Sequence, residues 1–109
     1  MKLIIAIVQD EDASRLVSAL MNDGYSATKL ATTGGFLRSG NTTLLIGVDD
    51  DRLEGCLHII EKLCKSRRQI ATSPITAGGA VGMYAHMPIE VTVGGATVFV
   101  MDVAQFAKF

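Results

Sequence analysis

"IEVTVGGATVFVMDV", Ile89 to Val103, sets the architecture of this chain. Two β-rich runs flank Gly94-Gly95, and a Gly-Gly pair between alternating residues reads as a two-residue hairpin. Such a turn pairs Val93 with Ala96 and Val91 with Val98. Val91, Val93, Ala96, Val98 and Val100 then share one face, the natural core side, while Thr92, Thr97, Phe99 and Met101 share the other. An aromatic ring therefore stands on the far side of the sheet, and the rest of the chain must say what covers it.

Working outward, Leu3 to Val8 is an unbroken apolar run suited to a central strand. Asp10, Glu11 and Asp12 supply negative charge where a helix can begin. Ala13, Leu16, Val17, Leu20 and Met21 follow at helical spacing, and Gly24 stops the helix. Tyr25 to Thr33 is a Thr-rich second strand. Thr43 to Asp49 is a third, with Leu44, Ile46 and Val48 on one face and Thr43, Leu45 and Gly47 on the other. A second helix over about residues 51–66 carries Leu53, Cys56, Leu57, Ile60 and Cys64 as its buried stripe, with His58 outside it. Ser66 to Met87, holding Pro74, Gly78, Gly79 and Gly82, has no sustained period and reads as a long loop.

The order is β-α-β-β-α-β with the last strand elaborated as a hairpin. That is the α+β, ferredoxin-like plan, with both helices on one face of an antiparallel sheet. The opposite face has no helix. Phe99 there suits a subunit interface, which favours Phe and Met, or a stacking platform for a flat ligand between subunits.

The chain has 109 residues, 49% hydrophobic and 19% charged, with a net charge of −1. One domain over 1–109 is expected, with apolar surface to spare for other subunits. A basic face for nucleic acid is not indicated. "MKLIIAIVQDED" is too short in its apolar stretch for a signal peptide, and no run approaches a membrane span, so a cytoplasmic location is expected. Cys56 and Cys64, eight apart on one helix, stand about 12 Å apart and cannot bridge each other. Both read as buried free thiols.

No catalytic or metal-ligating set assembles, and no cofactor is expected. "TTGGFLRSGN", Thr32 to Asn41, offers something else. Gly34 and Gly35 let backbone N–H groups approach an anion. Thr28, Thr32, Thr33, Asn41 and Thr42 are neutral donors and acceptors, and Arg38 is the guanidinium at hand. Gly47 clears room on the outward face. Phe36, Leu37 and Phe99 add apolar surface for a planar base. A solvated turn would not choose Phe36 and Leu37; together these are the ingredients of a nucleotide pocket.

"MKLIIAIVQDED", "ATKLATTGGFLRSGNTTLLIGVDDDR", "SPIT" and "IEVTVGGATVFVMDVAQFAKF" resemble, from end to end, the PII-like cyclic di-AMP receptor family. The resemblance implies a PII-like homotrimer that binds cyclic di-AMP in the clefts between neighbours, with a protein target left unnamed. It implies that Ala27 and Thr28 meet an adenine or its phosphate edge, and that Gly35, Phe36 and Leu37 wall the base. Asn41 would hydrogen-bond the base, Gly47 would line the floor, and Phe99 would come from the adjoining part of the cleft. Ser26 and Gly24 depart from a pattern in which many members carry a basic and a polar residue. Two rival readings are a PII-like regulator of another nucleotide such as ATP, and an acylphosphatase-like enzyme using Arg38 and Asn41.

Overall fold

The computed structural model describes residues 1–30, 40–74 and 86–109. Among these residues, six strands and two helices run in the order β1 (Lys2–Gln9), α1 (Asp10–Asn22), β2 (Ala27–Leu30), β3 (Asn41–Val48), α2 (Leu53–Cys64), β4 (Arg67–Pro74), β5 (His86–Val93) and β6 (Ala96–Asp102), with a short 3-10 turn at Asp50–Arg52 before α2. A four-stranded sheet has the order β2-β3-β1-β6, every neighbouring pair antiparallel, and β4 and β5 form a second, two-stranded sheet. The four-stranded order is that of the ferredoxin-like plan, so the α+β expectation holds.

Strand β1 is apolar along its length because it is central, paired to β3 on one side and β6 on the other. Its Ile4, Ala6 and Val8 are buried beside Leu44, Ile46 and Val48 of β3. Ala13, Leu16 and Leu20 of α1 and Cys56, Ile60 and Cys64 of α2 close over them, making one core on one face of the sheet. Met21, spaced to join that stripe, is instead 64% exposed in the last turn of α1. Gly24, at φ +82°, turns the chain out of α1, and its N–H donates to the Met21 carbonyl at 3.0 Å. Tyr25 then packs into the core and its hydroxyl donates to the Arg52 carbonyl at 3.0 Å, with the Arg52 guanidinium 4.1 Å above the ring.

Two expectations are corrected. The hairpin at Gly94-Gly95 does not form. β5 pairs with β4, Val93 facing Arg67, while β6 pairs with β1, Ala96 facing Val8. Both glycines do take positive φ, +80° and +103°, as the local signal requires, but they pass the chain from one sheet to the other. The reason is competition for partners: without β6 the central β1 would leave one edge of its backbone unpaired. Of the five residues expected to share the core face, Val98 packs against the core, whereas Ala96 and Val100 are exposed.

The second correction concerns Ser66 to Met87, read as a loop. Its first part is β4 and its end begins β5, joined as a ribbon from Arg67↔Val93 to Pro74↔His86. Periodicity missed it because residues 67–70 and 88–90 have little buried surface to mark a face; Ile70 is 75% exposed and Ile89 43%. The ribbon extends the molecule: the radius of gyration is 18.7 Å, against about 13 Å for a compact domain of this size.

Candidate functional site

The face of the sheet opposite the helices is a grid of apolar side chains in known register. Phe99, Ile5, Leu45 and Thr28 form one row across β6, β1, β3 and β2. Met101, Leu3 and Gly47 form the next. Phe99 and Met101 are about half exposed, at 53% and 50%. So the expectation that Phe99 points away from the helix-backed core is met, although the hairpin that suggested it is not there. The alternation inside β6 alone was enough.

At the Gly47 end of this face lies a cleft of about 520 Å³. Thr28, Leu45 and Gly47 supply its floor and Ser26 its edge; the C-terminal segment supplies a wall through Val103, Phe106 and Lys108. The Val103 N–H donates to the Met1 carbonyl at 3.2 Å, which fixes that segment beside the start of β1. The Met1 amino group pairs with Asp50 at 2.9 Å and holds the Asp50 carboxyl below its ordinary range. Lys2 and Asp102 pair across β1 and β6 and raise the Lys2 pKa. Lys108 is thus the side-chain cation lining the cleft among the described residues. A Cβ placed on Gly47 would sit 3.6 Å from the Met1 terminal methyl, an ordinary contact, so the glycine is not demanded by the fold. What it leaves is open floor.

The site residues expected from the sequence divide into groups. Thr28 and Gly47 meet in this cleft, and Phe99 stands on the same face two strands away from β3, about 10 Å across the sheet. Ala27 points the other way and packs against the core beneath α1, so it offers a ligand only backbone. Asn41 opens β3, six residues from Gly47 and thus about 20 Å along the strand. It borders a separate, polar cleft with Gln9, Asp10, Glu11 and Gly40. Gly35, Phe36 and Leu37 lie outside the described residues. The reading of the sequence missed Phe106 and Lys108. The signal was present, since two phenylalanines in a seven-residue terminal segment outside any strand are unusual company for solvent.

The corner between β1 and α1 ties these parts together. The Asp10 N–H donates to the Gly40 carbonyl at 2.8 Å, and the Asp10 carboxylate accepts from the Gly40 N–H at 3.2 Å and from the Thr42 hydroxyl at 2.5 Å. Next to it, Gln9 Oε1 accepts from the Gly94 N–H at 2.7 Å, and buried Asp12 accepts from Arg67 of the ribbon at 3.0 Å. One short segment therefore holds both the end of the Thr32–Asn41 stretch and the root of the ribbon.

A family model described as cyclic-di-AMP receptor matches residues 1–109, the whole chain. The chain belongs to the cyclic-di-AMP receptor family. It is also similar to a solved structure titled as a functionally unknown protein from Pediococcus pentosaceus ATCC 25745, at 45% identity and a TM-score of 0.77, covering 99% of this chain and 96% of that one. No described helix is long and apolar enough to cross a membrane.

Proposed function

We propose that this member of the cyclic-di-AMP receptor family acts as a signal receptor rather than an enzyme, binding cyclic di-AMP in clefts between the protomers of a homotrimer. The observation that carries this reading is the uncovered sheet face, where Thr28, Gly47 and Phe99 are presented together beside the 520 Å³ cleft. Thr28 donates to a phosphate or ring edge, Phe99 supplies a stacking surface, and Gly47 lets the base lie close to backbone. Lys108 provides the cation near Ser26 that the anionic ligand needs. The roughly 20 Å between Asn41 and Gly47 within one chain is more than one adenine spans, which supports a site completed by a neighbour. Gly35, Phe36 and Leu37 are the residues that would wall the base. Ligand binding changes how the ribbon is held through the Gln9–Asp12 corner, and so what the trimer shows a protein target.

Titration calorimetry with cyclic di-AMP tests the reading. Binding at one ligand per protomer, resisting competition by ATP, is expected. Silence at high micromolar ligand, or preferential binding of ATP, would remove the ligand assignment.

A further inference from the structure

Away from the ligand cleft, on the helix side of the ribbon root, lies a second basin of about 430 Å³ lined by Arg15, Lys62, Leu63, Lys65, Ser66 and Arg67. Four of the ten basic residues of a chain with net charge −1 gather there, and no carboxylate lines it among the described residues. Two of the four are fixed in place. Asp12, 1% exposed, accepts from Arg15 at 3.1 Å and Arg67 at 3.0 Å, both through Oδ1. Arg15 also donates to the Leu63 carbonyl at 3.2 Å, and Arg67 to the Lys65 carbonyl at 3.2 Å. One carboxylate thus organises two guanidiniums but neutralises only one. Each guanidinium has five N–H donors and spends two of them here, leaving three for a ligand. Lys62 and Lys65 pair with no carboxylate among the described residues.

Such pre-organised forks recognise carboxylate and phosphate oxygens. No aromatic side chain lines the basin among the described residues, so they offer nothing to a nucleobase. It is shallow, open to solvent, and contributed by α1, the end of α2 and β4 together. That shape suits a chain laid across it better than a small ion enclosed by it. We propose that this basin is a docking surface for an acidic segment of a partner protein, with Arg15 and Arg67 gripping carboxylates while Lys62 and Lys65 steer the approach. Because Arg67 belongs to the ribbon, the grip depends on where the ribbon root sits. The surface itself is independent of the ligand reading; its control by cyclic di-AMP rests on that reading.

A fluorescein-labelled octaglutamate peptide is the probe, read by fluorescence anisotropy. Saturable binding that weakens as salt rises is expected. The double variant Lys62→Glu, Lys65→Glu, whose side chains make no hydrogen bond to the core, should lose about tenfold or more in affinity while melting as the parent does. Lys29→Glu, on β2 and outside the residues that line the basin, should bind within about twofold of the parent. Saturating cyclic di-AMP should shift the peptide affinity about fivefold or more. No saturable binding, equal binding by the double variant, or displacement by micromolar pyrophosphate would overturn the docking surface. An unchanged affinity with ligand bound would overturn the link to the ribbon. If calorimetry finds no cyclic di-AMP binding yet the peptide docks, the receptor reading falls and the surface stands.

Discussion

Gly47 and Phe99 separate folding from recognition most cleanly. The space around Gly47 accepts a methyl group, so Gly47→Ala should change stability by no more than about 0.5 kcal/mol. The same methyl group would occupy cleft floor, and cyclic di-AMP affinity should fall; a parallel melt and titration would check both halves. Phe99→Ala should cost binding about 1–3 kcal/mol, roughly 5- to 150-fold in affinity, if the ring stacks on a base. Cys56 and Cys64 are the opposite case, residues of the fold alone. Both are fully buried, and burial raises both thiol pKa values, that of Cys56 to about 11. The neutral thiol is favoured in the fold, so each contribution to stability is complete below the ordinary thiol pKa and is lost as pH rises, through about 11 for Cys56. At pH 8 both should react with a thiol reagent only after unfolding; rapid labelling of folded protein would show the burial is wrong.

Among the elements, the ribbon root is the most constrained junction. A Cβ on Gly94 would lie 2.6 Å from the Arg67 guanidinium and 2.8 Å from the Lys65 carbonyl, at φ +80°. Gly94→Ala should therefore destabilise by about 1–3 kcal/mol, with the loss of amide protection concentrated in β4 and β5 when hydrogen exchange is followed. Uniform loss across the sheet would show that the root is not a separate unit. Both helices, the inward and outward sets of β3 and the exposure of Phe99 could be read from the sequence because each rests on a period a single element carries by itself. The partner of β6 could not. Gly94-Gly95 signals a sharp change of direction, and that change occurs, but pairing is settled by the free edge of β1, some ninety residues away in sequence. β4 was illegible for another reason, since its exposed positions 68–70 leave no alternation to read. Nor could any period show that Asp12, written as a helix-start acid, would be buried to hold Arg15 and Arg67.

For the whole molecule, the apolar grid from Phe99 to Thr28 needs a cover, and the proposal supplies two: a neighbouring protomer and a ligand between them. Family membership supports the nucleotide, and the proposal reads the separation of Asn41 from Gly47 as a site shared by more than one chain. Native mass spectrometry of the protein with excess cyclic di-AMP reads assembly and stoichiometry together. The account predicts a trimer carrying three ligands. A monomer, or a trimer that carries none, would contradict it.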